Sequence, residues 1–293
     1  MSAYYPPGRT THAISGSTRT PRVTGWIYCS TIDACHQLHD VRRAREWTRA
    51  LNAWRDSLPQ FTGPYSGICR IHRSELLQLG GAWPDVAHEA RVACDELQHG
   101  YGQIVAGYAF YQLGEIHRLR GEFTSAEDAY RHASEYGGQT QPGMALLGLA
   151  QGKPQAAAAA IRRSLVETSD PLARSSLLPA SVECMLAAHD LPVARDAADE
   201  LAAIAATCDM PALRAQAAHA RGAVELAADN PQSALPELRR AWQEWRDLDA
   251  PYEGARVRVL IGQACRALAT KTPRRWSSTP PPRSSRSSAP SPT

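Results

Sequence analysis

The stretch FYQLGEIHRLRGEFTSAEDAYRHA, residues 110–133, decides the fold. Phe110, Leu113, Gly114 and His117 follow one another at helical spacing, and Gly121 interrupts them. Phe123, Ala126, Tyr130 and Ala133 then resume the same spacing. The pattern predicts two helices joined by a tight turn. Phe110 and Leu113 face the second helix, and Gly114 and Ala126 are small because the helices cross closely there. Tyr130 fills the space below the crossing, and Gly121 supplies the turn.

These nine positions have the spacing of a tetratricopeptide repeat, with His117 where an aromatic such as Tyr is usual. Weaker copies flank the unit. Gly81, Trp83, Val86, Ala90 and Ala93 come before it, and Gly152, Ala157 and Ile161 after it. Leu191, Ala194, Ala198 and Leu201 continue the series, followed by Gly222, Pro231, Ala234, Leu238 and Ala241. An opening pair is read at 25–39 and 41–58, with Trp47, Leu51 and Trp54 on one face. A last first helix, 252–268, has Gly262 in the small-residue position and no partner after it. No run alternates with period two, so strands are not expected.

The expected fold is therefore all-α: a tetratricopeptide-like right-handed α-α superhelix of about six and a half helix pairs over residues 23–269. Disordered ends flank it at 1–22, a Tyr/Pro/Ser/Thr lead-in, and at 270–293, a Pro/Ser/Arg tail. Reading from the last base of the Thr270 codon, GC-rich codons can yield a helical segment. Its Ala, Leu and Ala fall where Arg274, Ser278 and Pro281 now stand. The tail is therefore read as a frameshift product, and the unpaired last helix as a surface for self-association.

Eight of the 32 bases lie in the two acid-free ends, which leaves 24 against 29 acids in the body. A mildly acidic body argues against direct nucleic-acid binding. The seven cysteines are single and odd in number, which points to reduced thiols and a cytoplasmic chain. No apolar run is long enough for a membrane span.

The phrases GWIYCSTIDACHQLHDVRRAREWTRALNAW, YSGICRIHRSELLQLGGAWPDVAHEAR, FYQLGEIHRLRGEF and APYEGARVRVLIGQACRAL resemble the helical repeat region of large LuxR-type transcriptional regulators. The resemblance covers about residues 24–268. It implies an ATP-binding domain before such repeats and a helix-turn-helix after them. The sequence carries neither: Gly152-Lys153-Pro154 lacks the first glycine and the hydroxyl residue of a phosphate loop. The implied function is a truncated protein-interaction or effector-sensing module without its own DNA reader.

No catalytic motif is present, so no enzyme, cofactor or catalytic residue is expected. Cys29, Cys35, His36, His39, Cys69 and His72 form the most suggestive metal-binding set, with His36 and His39 read as sharing a helix face. The Cys29–Cys35 spacing is not a zinc knuckle and no CxxC occurs, so no metal ligand is assigned and buried thiols are the reading. Trp47/Leu51/Trp54 and Trp242/Trp245 are read as packing. In such stacks the first helix of each pair lines the concave groove, which singles out Glu75, Gln78, Tyr111, Glu115 and Arg118 as contacts. The expected partner is a protein, a peptide or a small effector. A free-standing peptide-binding scaffold is the alternative reading, and a helical zinc protein or enzyme the third.

Overall fold

The computed structural model describes residues 21–57, 65–98 and 103–271. Among them the chain is all-helical, with thirteen helices in six consecutive pairs and one final helix. The pairs are α1 (Pro21–Gln37) with α2 (Val41–Asp56), α3 (Tyr65–Leu79) with α4 (Trp83–Gln98), and α5 (Gln103–Leu119) with α6 (Phe123–Glu135). They continue with α7 (Gly143–Ala150) and α8 (Pro154–Glu167), α9 (Pro171–Ala187) and α10 (Leu191–Cys208), and α11 (Pro211–Ala227) and α12 (Pro231–Asp247). The last helix is α13 (Pro251–Lys271). α1 begins at Pro21, before the boundary expected at 23, and α13 ends after the one expected at 269. The lead-in over 1–20 and the tail over 272–293 lie outside the described residues.

One local device repeats inside every pair. The residue in the turn takes a left-handed backbone: His39, Gly81, Gly121, Gly152, His189 and Asp229, with φ between 57° and 79°. The N–H that follows it bonds a carbonyl five residues back, as in Asp40 to Cys35 and Asp190 to Met185 at 2.8 Å and Glu122 to His117 at 2.9 Å. This closes the first helix and satisfies its orphan carbonyls. Asp40 and Asp190 then cap the second helix by accepting from the N–H groups of Arg43 and Val193.

Counting from that turn residue exposes a second rule. Seven positions before it and nine after it lie two residues that share the helix crossing. They are Ile32/Thr48, Ser74/Ala90, Gly114/Tyr130, Ala145/Ile161, Val182/Ala198 and Gly222/Leu238. All twelve are buried. The volume is shared differently in each pair, and this is how one backbone geometry accepts a degenerate sequence. Where the first residue is Gly the second is large. A Cβ added at Gly114 would sit 2.6 Å from Tyr130 Cε1, and one at Gly222 would sit 2.5 Å from Leu238 Cγ.

The stack curls until its ends meet. Arg45 on α2 donates to the carbonyl oxygens of Leu248 and Asp249 at 2.6 and 3.2 Å. Trp83 packs edge-on against Tyr252 with ring centroids 5.2 Å apart. Val41 and Leu79 join the apolar cluster of α12 and α13, so the first part of α13 meets α3 as well as α12. A charged donor on two carbonyls is worth about 1.5–3 kcal/mol. Arg45→Met, which keeps the stem, is expected to lose that much in urea unfolding; an unchanged midpoint would mean that the seam is not closed in solution.

Candidate functional site

Closing the stack turns the concave face into a lumen. A cavity of about 350 Å³ opens between the first helices of five pairs and α13. Gln78 reaches it from α3, Glu115 and Arg118 from α5, Glu183 from α9, Gln216 and His219 from α11, and Glu253 and Arg256 from α13. Trp245 of α12 and Tyr252 of α13 supply aromatic wall. First helices line it because crossing residues such as Gly114 and Gly222 are turned toward the second helices, which leaves the opposite face for the lumen.

Of the five groove residues expected from the sequence, Gln78, Glu115 and Arg118 come together on this wall. Tyr111 lies deeper, half-buried against the Tyr130 ring at 5.7 Å. Glu75, one turn before Gln78, stands instead beside His36 and His72. Glu183, Gln216, His219, Glu253 and Arg256 went unnoticed, because nothing local in α9, α11 or α13 says that these helices face α3 and α5. Trp245 does pack in the core, at 3% exposed, yet it also borders the cavity.

The wall is charged and mostly paired. Arg118 grips both oxygens of Glu115 at 3.2 and 2.7 Å, and Tyr130 donates to the same carboxylate. Arg256 bridges Glu183 at 2.5 Å and Glu253 at 3.0 Å. Burial works against the charge on both guanidinium groups, and their carboxylate partners outweigh it, so both are held above the ordinary arginine value. Three carboxylates face two guanidinium groups here. Burial raises Glu253 despite Arg256, and burial together with Arg256 pushes His219 down to about 3. The cavity thus holds one more carboxyl group than guanidinium groups. Two of the lining residues each hold a buried polar atom without a partner behind the wall, the Trp245 indole N–H and Gln216 Oε1. A buried donor and a buried acceptor left open cost free energy.

The metal-binding set suggested by the sequence comes apart. His39 is not on a helix face with His36: it occupies the left-handed turn after α1, and its Nε2 lies 2.9 Å from Ser175 Oγ. Cys29 and Cys69 face each other across α1 and α3 with sulfurs 3.0 Å apart. Cys35 is buried elsewhere in α1. What remains together is His36, His72 and Glu75, whose donor atoms lie within 4.8 Å of one another. His117, which stands where the repeat usually has an aromatic, pairs with Glu122 at 2.5 Å.

A second, wider cleft of about 720 Å³ follows the seam, lined by Arg45, Arg49, Arg246 and Arg258. No described helix is long and apolar enough to cross a membrane. Comparison with known protein families matched no family to this chain, and comparison with curated proteins matched none of them.

Proposed function

We infer that this chain is the effector-sensing repeat module of a LuxR-type transcriptional regulator, a cytoplasmic part that binds a small molecule rather than catalysing a reaction. The regulator setting rests on the four quoted phrases. The effector reading rests on one observation: the lumen of the closed stack holds a cavity whose wall carries three carboxyl groups against two guanidinium groups, beside two aromatic rings. Its size lies within the range of small-molecule sites. The chemistry that suits it is a small cationic compound, an amine or guanidine. Its cation would answer Glu253 and rest against Tyr252 and Trp245.

Such a ligand touches α3 and α5 on one side and α11 and α13 on the other. Binding therefore favours the closed ring over an opened one, and neighbouring repeats pass the change in curvature to attached domains.

The test is thermal denaturation of the full chain against a panel of diamines, amino acids and guanidino compounds. A true effector at about a hundred times its Kd stabilises by about 2.7 kcal/mol, a rise of roughly 5–11 °C for a chain of this size. Glu253→Gln is expected to abolish the rise and Trp245→Phe to reduce it. If no compound raises the midpoint, the scaffold reading takes over. The arginine-lined seam cleft favours an acidic peptide for that reading. Sequencing the DNA on both sides of the reading frame tests the regulator setting: neighbouring phosphate-loop and helix-turn-helix coding sequence supports it, and unrelated genes overturn it.

A further inference from the structure

His36 stands at the end of α1 and His72 in the middle of α3, the first helices of adjacent pairs. Their rings stack 5.1 Å apart with an interplanar angle of 15°. Glu75, one turn after His72, brings a single carboxylate oxygen to both: Oε2 lies 3.2 Å from His36 Nδ1 and 3.4 Å from His72 Nδ1. His72 is 7% exposed, and the Nε2 atoms of both histidines are buried with no hydrogen-bond partner. Two imidazoles packed face to face around one carboxylate, each with an unanswered nitrogen, form an incomplete hydrogen-bond network.

The spacing suits a different occupant. Ligands held about 2.1 Å from a tetrahedral ion stand roughly 3.4 Å from one another. Both histidine–glutamate separations match that edge. Two neutral imidazoles and one carboxylate are a donor set for borderline divalent ions, and three protein ligands leave a coordination position open. The neighbouring thiols do not join. Cys29 lies two helical turns before His36 and Cys69 one turn before His72, and their sulfurs face each other.

We propose that His36, His72 and Glu75 form a binding site for a divalent ion of the zinc class (Zn²⁺, Co²⁺ or Ni²⁺) that clamps the first repeat to the second. The ion replaces the two Nδ1–Oε2 contacts by three coordination bonds, and water holds the open position. The site is separate from the lumen cavity and stands or falls without it.

The experiment is titration of the full, metal-stripped chain with Co²⁺, followed by absorption and calorimetry, with Zn²⁺ as competitor. One ion per chain is expected, with d–d bands of a four- or five-coordinate nitrogen and oxygen site and no thiolate-to-metal charge transfer. Removing an outer partner of a ligand already costs on the order of 10- to 100-fold in metal affinity, so losing a ligand costs more. Glu75→Gln and His36→Gln are each expected to weaken binding at least a hundredfold. The double variant Cys29→Ala/Cys69→Ala is expected to bind as the parent does. Each variant's thermal midpoint without metal separates a lost ligand from a lost fold, and Glu75→Gln keeps the shape and the hydrogen-bonding oxygen. The proposal is overturned by no stoichiometric binding, by equal affinity in folded Glu75→Gln, or by thiolate bands that vanish with the two cysteines.

Discussion

Truncating Tyr130 to alanine is expected to lower the free energy of unfolding by about 4 kcal/mol, from the cost of emptying an aromatic site in a packed core. The ring is 1% exposed and stands between three helices. Gly114 of α5 is bare because the ring lies against it, and Gly143 at the start of α7 is bare because its hydroxyl end does: a Cβ at Gly143 would come 2.6 Å from Tyr130 Oη. Neither glycine can extend a side chain into the space, so the void cannot close from those sides. The loss is also electrostatic, since the Tyr130 hydroxyl donates to the Glu115 carboxylate that Arg118 holds in the lumen. Tyr130→Phe keeps the volume and removes only that donor, for about 1–2 kcal/mol. Urea unfolding of both variants separates packing from hydrogen bonding. If the alanine variant costs no more than the phenylalanine one, the ring does not fill the crossing. The same pair bears on effector binding, because Tyr130→Phe frees one oxygen of a cavity residue without disturbing the repeat.

Tyr130 was legible from sequence because its repeat divides the crossing volume in the familiar way, with glycine first and an aromatic second. The same logic hid some first members elsewhere. Val182 and Ser74 stand where the pattern wants glycine, so the search finds their partners Ala198 and Ala90 and passes over Val182 and Ser74, although all four are buried. The turns show the same difference. Gly81, Gly121 and Gly152 announce a left-handed residue, whereas His39, His189 and Asp229 adopt it without that signal. A signal did exist at two of them: His189-Asp190-Leu191-Pro192 and Asp229-Asn230-Pro231 place a capping residue and a proline at a helix start. His39 carries only Asp40, and without a turn there it was read as helical and grouped with His36.

The site was half legible for a plainer reason. The groove rule places residues on a face of one helix, and it put Gln78, Glu115 and Arg118 on the lumen face. Which other helix stands across the lumen depends on curvature summed over the whole stack. Arg45 meets Leu248 and Asp249 across more than 200 residues, and no local spacing encodes that meeting. Glu183, Glu253 and Arg256 are ordinary charged positions on first helices until the ring closes. Glu75 is a related case. Its place beside His72 follows from one turn of α3, but its meeting with His36 follows only from how α1 packs on α3.

Lowering the pH from 7.5 to 5.0 is expected to destabilise the fold by about 4 kcal/mol, through two histidines kept neutral in the interior. Burial, reinforced by the neighbouring Arg256, pushes His219 down to about 3, and burial with His36 nearby pushes His39 down to about 4. In the unfolded chain each imidazole takes its proton near 6.5. Between 6.5 and the folded value the unfolded state therefore binds a proton that the folded state refuses. The stability these groups allow is intact above 6.5 and drains as pH falls, each group losing about 2 kcal/mol by pH 5. His36, lowered chiefly by burial, adds to the loss. Two groups act the other way. His72 is raised because Glu75 outweighs its burial, so its stabilisation is present below 6.5 and lost as pH rises through its folded value. Glu253 is raised by burial and gains stability as pH falls toward its folded value. Both act against the two depressed imidazoles. Around His219 stand Arg256, Glu183 and Glu253; around His39 stand His36 and the uncharged Ser175 hydroxyl. His219→Gln removes one titrating group without adding charge, and it should flatten the difference between the two pH values by about 2 kcal/mol. Urea unfolding of the parent and this variant at both pH values is the measurement. A parent equally stable at pH 5.0 and 7.5 would mean that His219 and His39 reach water in the folded state, and that the lumen is open rather than closed by the seam.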